Sequence, residues 1–244
     1  MFRFSVPQPL RCALVALCCC LIGCAVVPNV AWTVSAGGAR ADASAGNRVV
    51  PLADGGSIVV GSFTGSATFG PGDGVLHAAS TATSEFFLAR YRQQGSLLLA
   101  RRLLSAPAGS GISCIAPVPG GIVVGGKLKA GSAVLAPADT NARSVSVPAD
   151  TSFIACFSDT GIFQTVKLFG GTLQDLGTST AGDVLVLGYF SGSMTVDIGE
   201  PTAAPLTGAA VINLYLLKFL PDGRLAWSKV LQNTYNSYWA NELL

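Results

Sequence analysis

One histidine, His77, is the whole imidazole inventory of the 244-residue chain. A zinc site or a Ser-His-Asp triad needs partners that a single imidazole does not bring, so His77 reads as a solvent-exposed loop residue. The acids Asp54, Asp73, Asp159, Asp183, Asp197 and Asp222 mostly stand beside glycine or at turns, and no D-x-D-x-D-G calcium loop occurs among them. No G-x-x-x-x-G-K-[ST] phosphate loop and no G-x-S-x-G elbow is present, since Gly109-Ser110-Gly111 and Gly65-Ser66 lack the spacing. No catalytic residue, cofactor site or metal site is therefore assigned. Enzyme function is the weaker reading, because a hydrolase would need two carboxylates converging in one pocket.

A base recurs three times, at Arg101, Lys167 and Lys229. It reads as an outward side chain on an edge strand, where a charge discourages edge-to-edge pairing. Of the seven cysteines only Cys114 and Cys156 lie outside the first 24 residues. The strand reading below puts these two on the first and third strands of one unit, about 10 Å apart and beyond disulfide reach. Two buried free thiols are expected, with a disulfide as the alternative. No histidine stands near either thiol to activate it.

The remaining cysteines belong to a leader. Residues 1–12 carry Arg3 and Arg11 and no acid, and a fifteen-residue apolar run from Ala13 to Val27 ends at Pro28. That is short of the roughly 20 residues a membrane-spanning helix needs, and it suits the apolar part of an export signal. Within it, Leu21-Ile22-Gly23-Cys24 resembles the lipobox of bacterial lipoproteins. The resemblance implies cleavage before Cys24, a diacylglycerol thioether on its sulfur, and a lipid anchor in the cell envelope. An ordinary cut at Val34-Ser35-Ala36 or Ala39-Arg40-Ala41, releasing a soluble protein, stands as the alternative, and an uncleaved short anchor as a third. Residues 1–23 are thus read as a signal helix and 24–46 as a tether.

The body is repetitive. Asp54-Gly55-Gly56-Ser57-Ile58-Val59-Val60-Gly61-Ser62-Phe63 returns as Pro119-Gly120-Gly121-Ile122-Val123-Val124-Gly125-Gly126-Lys127-Leu128, and again as Ala181-Gly182-Asp183-Val184-Leu185-Val186-Leu187-Gly188-Tyr189-Phe190. Gly61, Gly125 and Gly188 recur at spacings of 64 and 63. After a variable loop each copy adds a second block: Phe87-Leu88-Ala89-Arg90-Tyr91, Phe153-Ile154-Ala155-Cys156-Phe157, and Tyr215-Leu216-Leu217-Lys218-Phe219. Gly95, Gly161 or Gly223 follows four residues on, and the base six residues after that. Short β-branched runs between Gly-containing turns argue strands, four to a unit.

These units resemble the β-propeller repeats of secreted bacterial proteins, with a G-x-hydrophobic core and an F-hydrophobic-hydrophobic-K-aromatic block. The third copy, with Gly188, Phe190, Gly192, Lys218, Phe219, Gly223 and Trp227, matches best. The resemblance implies an all-β fold of three four-stranded antiparallel blades, over residues 47–109, 110–172 and 173–235, with 236–244 beginning a further repeat or a tail. Three blades fall short of the usual four or more. The readings are a fragment of a longer propeller, closure with a second chain, or an open array. The near-neutral net charge of +2 offers no basic stripe for nucleic acid. The function read from all this is an exported, lipid-anchored binding or structural scaffold whose ligand is unknown, with the secreted hydrolase or a truncated fragment as alternatives. Its partners would be the membrane, and another propeller chain or a cell-surface ligand met through the variable segments 70–84, 136–152 and 199–211.

Overall fold

The structure is a computed structural model that describes residues 44–69, 75–77 and 83–231. The signal segment, Cys24 and the tail from residue 232 lie outside the described residues. Eighteen strands are described, and no helix among them. In the first blade these are β1 (Ser44–Pro51), β2 (Ser57–Phe63), β3 (Ser66–Thr68), β4 (Val75–His77), β5 (Thr83–Tyr91) and β6 (Leu97–Pro107). The second contains β7 (Gly111–Val118), β8 (Gly121–Leu128), β9 (Gly131–Leu135), β10 (Arg143–Val147), β11 (Thr151–Ser158) and β12 (Phe163–Phe169). The third contains β13 (Thr172–Thr178), β14 (Val184–Phe190), β15 (Ser193–Val196), β16 (Ala204–Thr207), β17 (Asn213–Phe219) and β18 (Leu225–Leu231).

Each blade is an antiparallel meander of four strands, in the orders β1-β2-β5-β6, β7-β8-β11-β12 and β13-β14-β17-β18. The fold is all-β, with three propeller-like blades in an open array, as the repeat predicts. The units echo one another down to their irregularities. A bulge falls in the first strand at Gly46/Arg48, Ile112/Cys114 and Leu173/Asp175. Another falls between third and fourth strands at Arg90/Tyr91, Cys156/Phe157 and Lys218/Phe219. Bulges bend and twist a strand and are kept as features of a fold.

The register corrects one equivalence drawn from the sequence. Gly61 faces Gly46 and Phe87, and Gly188 faces Leu173 and Tyr215. The residue facing Ile112 and Phe153 is Gly126, so the middle copy's strand glycine sits one residue after Gly125. A side chain there has no room: an added Cβ would stand 2.1 Å from Ala45 O at Gly61, 2.0 Å from Gly111 O at Gly126, and 2.2 Å from Thr172 O at Gly188.

Blades stack through apolar faces. Ile58, Val60 and Leu88 of the first blade pack with Ile122, Val124, Phe153 and Phe157 of the second. Val123, Ile154 and Phe169 of the second pack with Val184, Val186, Tyr215 and Leu217 of the third. A middle blade buries both faces, so β8 is buried at every residue but Lys127 rather than alternating. The first strands β1, β7 and β13 lie side by side, as strands nearest a propeller axis do.

The segments expected to be variable loops supply the second strand of an inserted antiparallel hairpin in each copy: β3–β4, β9–β10 and β15–β16. Two of them reach back to the blade before. β9 pairs with β6 at Leu104–Leu135 and Ser105–Val134, and Ala136 N–H donates to Leu103 O at 2.8 Å. Likewise Gly170 N–H donates to Thr195 O and Ile198 N–H to Leu168 O, each at 2.8 Å. The inserted hairpin thus straps the outer strand of the preceding blade.

Candidate functional site

Ion pairs cross both blade junctions. Arg101 Nη1 meets Asp139 Oδ1 at 2.8 Å across the first, and Lys167 Nζ meets Asp197 Oδ1 at 3.1 Å and Glu200 Oε1 at 3.6 Å across the second. The reading of these bases as free outward charges on edge strands is therefore corrected for two of the three. The strap from the next blade covers each edge and brings an acid to each base. The acids sit in a four-residue turn closed by Asp139 N–H to Ala136 O and by Glu200 N–H to Asp197 O. Ala136 and Asp197 take φ of 48° and 59° there. The first copy's sequence places Gly70 and Asp73 at the corresponding positions, outside the described residues. Asp197 is 1% exposed. Thr202 Oγ1 donates to its Oδ2, while Lys167 stands off the axis of a hydrogen bond to Oδ1, so their attraction is Coulombic.

A second base marks the third strand of the first and third blades, at Arg90 and Lys218, and the middle blade differs. Arg90 bridges two turns, donating to Asp54 Oδ2 at 2.8 Å in its own blade, and to Asp159 Oδ2 at 2.6 Å and Asp159 O at 3.2 Å in the next. Asp54 is held below its ordinary value by the Gly56 backbone N–H and then by the Arg90 guanidinium. Lys218 pairs with Asp183 at 2.8 Å and lowers its pKa. Between them in the repeat stands Cys156, which has no charge to offer. Its would-be partner Asp222 turns to the Arg224 backbone N–H and guanidinium instead, and these lower its pKa.

A groove of about 340 Å³ therefore opens between the second and third blades, beside the Gly182 and Gly223 turns. Cys156, Thr165, Lys167, Val118, Phe219 and Asp222 are among its walls. Cys156 is a free, half-buried thiol rather than the fully buried one expected, and burial pushes its pKa up to about 11. Cys114 is free and buried, donates to Gln174 O at 3.1 Å, and is raised by burial too. Strand β8 lies between the two, as the sequence reading placed it.

Sequence reasoning missed Glu85. It is buried within the first blade and accepts hydrogen bonds from Arg102 at 3.0 and 3.2 Å, Ser105 at 2.7 Å and Thr83 at 3.1 Å. Its signal was an acid set directly before Phe86-Phe87, where the other copies have Thr151 and Asn213. The strand β4 ends at His77, whose side chain is outside the described set. Among the described residues no three His, Cys, Asp or Glu side chains gather as a metal site requires. No helix among them is long and apolar enough to cross a membrane. The class this architecture defines is an open, propeller-like all-β protein with clasped blades. No protein-family model matches the chain, and no curated protein matches it.

Proposed function

We propose that the chain is exported, anchored in the cell envelope by lipid on Cys24, and serves as a binding scaffold whose ligand enters the groove between the second and third blades. One observation carries the binding part: where Arg90 closes the first junction, Cys156 leaves the second open, with an uncharged thiol, a lysine and an aspartate around a cavity of about 340 Å³. Pockets of this size and mixed lining hold small ligands. The strap turns at Asp139 and at Asp197–Glu200 are spent on joining blades, which moves the expected binding surface from the variable segments to this groove. The same pairing weighs against the hydrolase. Asp197 and Glu200 converge, but on the Lys167 ammonium, and neither lines the groove.

Two measurements test the two halves. Acyl labelling in the host should mark the wild-type chain and leave Cys24→Ser unlabelled; an unlabelled wild type found in the medium rejects the anchor. Native mass spectrometry of the purified chain should show a small-molecule adduct that Cys156→Arg, which fills the groove, has lost. Equal adducts on both forms, or none on either, rejects the groove as the site.

A further inference from the structure

The two ends of the blade array differ in chemistry. One end carries tight turns. Arg90 ties two of them together, the Asp54 turn of the first blade and the Asp159 turn of the second. The Gly182 turn of the third blade stands beside Pro119, in the β7–β8 turn of the second, so the three blades point these turns the same way. Asp54, Asp159, Asp183 and Asp222 lie at that end, and the groove opens there. The opposite end is where the body begins: β1 starts at Ser44, facing Phe63 at the close of β2, and Leu128 and Phe190 close the matching strands of the other blades. Glu85 stands there, buried against Arg102. Asp150 stands there too, shared by Lys127 and Lys129, whose side chains are 53% and 42% exposed. Two lysines on one aspartate leave that cluster a positive charge in excess.

On the third blade this same end is apolar. The segment from Ala203 to Ile212 carries no charge, and Val211 and Ile212, side by side in the loop before β17, are 73% and 48% exposed. Leu231, facing Leu214 on the next strand, is 43% exposed. A single exposed aliphatic such as Ile162 needs no explanation; an adjacent pair on a fixed loop does. The loop is fixed by Asn213, 1% exposed, which accepts from Ala210 N–H at 3.0 Å and donates to Ala210 O at 2.8 Å. Gly208 N–H donates to Gly192 O at 3.0 Å on its other side. We propose that this end of the array rests on the bilayer, with Val211 and Ile212 inserted among the headgroups and Lys127 and Lys129 facing anionic lipid. A lipid surface fits because the chain from Cys24, twenty residues before Ser44, enters the body at this end. It fits also because the aliphatic pair projects from a loop rather than lining a cleft, and because the turn acids lie at the far end. Exposed aliphatic and basic side chains together bind the membrane interface. The orientation rests on the lipid anchor at Cys24, and it turns the groove away from the membrane.

The test places an indole at each end. The chain as its host makes it is reconstituted in vesicles of phosphatidylethanolamine and phosphatidylglycerol, three to one, with plain or brominated acyl chains; bromine quenches a tryptophan that reaches it. The wild type gives the background of the native tryptophans. Val211→Trp should lose roughly half of the emission it adds, since an inserted apolar face sits about 5–10 Å deep. Ile162→Trp, at the exposed turn of the far end, should lose none. Should circular dichroism show Val211→Trp misfolded, Ile212→Trp takes its place. In an acylated chain, equal loss at both positions overturns the proposal and leaves the anchor standing. So does no loss at 211, which would assign the aliphatic pair to a protein partner. A chain whose mass shows no acyl group overturns the anchor, and this orientation with it.

Discussion

Cys156 shows how one substitution within a repeat changes local chemistry. The other two copies place a base there, and a cation on that strand neutralises the turn acids around it, as Arg90 does for Asp54 and Asp159. Cys156→Arg should let a guanidinium reach Asp222, fill much of the groove, and raise the unfolding midpoint slightly, since an exposed ion pair contributes little. Urea unfolding would show it, and an unchanged or lower midpoint would mean that the groove has no room for the arginine. With its pKa near 11, the wild-type thiol should also react slowly with iodoacetamide at pH 8, since the thiolate is the nucleophile. Asp150 illustrates the opposite shift. Lys127 and Lys129 both lie 2.8 Å from its Oδ2, and their hydrogen bonds hold its pKa at about 2, against an ordinary 3.8. A folded pKa below the unfolded one means that the contact contributes fully above pH 3.8 and is lost as pH falls through about 2. Carboxyl chemical shifts followed by NMR should give a midpoint near 2 in the wild type, moving toward 3.8 in the Lys127→Ala, Lys129→Ala double variant. A wild-type midpoint near 4 would show that the lysines do not hold the carboxylate in solution.

At the scale of the strand and hairpin, the tight turns were the most legible feature. Gly95, Gly161 and Gly223 take φ of 82°, 77° and 82°, and each donates its N–H three residues back, to Arg92 O, Ser158 O and Leu220 O. A local sequence of turn residues dictates a local geometry, so the signal survives without any knowledge of partners. The strand glycine was read less well. Gly125 and Gly126 are adjacent and alike in sequence, and only pairing across two strands shows which one meets the Gly111 carbonyl. The straps were missed altogether. Their strands are short, β15 and β16 having four residues each, and they are held by the neighbouring blade, a long-range contact that no window of sequence displays. Gly126→Ala should therefore cost about 3 kcal/mol, at the upper end for overpacking a filled site, because the atom it meets is backbone and not a flexible side chain. The same substitution at Gly61 and Gly188 should cost a similar amount. Chemical denaturation of the three variants checks this. A loss under 1 kcal/mol at Gly126 alone would return the structural role to Gly125.

At the scale of the whole molecule, the junctions are built from one plan at two depths. Arg101 is 40% exposed at the first, and its partner Asp139 is 15% exposed; Lys167 is 12% exposed at the second, and Asp197 1%. Water screens the first pair and leaves it worth little. It reaches Lys167 from the groove but barely touches Asp197, so removing the lysine leaves a buried carboxylate with the Thr202 hydroxyl as its remaining side-chain donor. Lys167→Met keeps the apolar stem and deletes the charge. It should cost about 3 kcal/mol, as breaking a buried pair does, whereas Arg101→Met should cost under about 1 kcal/mol. The loss should also be local in origin. Trp227 lies on the outer strand of the third blade, and a weakened second junction should let that blade open before the other two, splitting the denaturation curve by fluorescence from the curve by circular dichroism. Equal losses for the two variants would mean that burial does not distinguish the junctions. Coincident curves in Lys167→Met would mean that the blades, though written as separate repeats, unfold as one body.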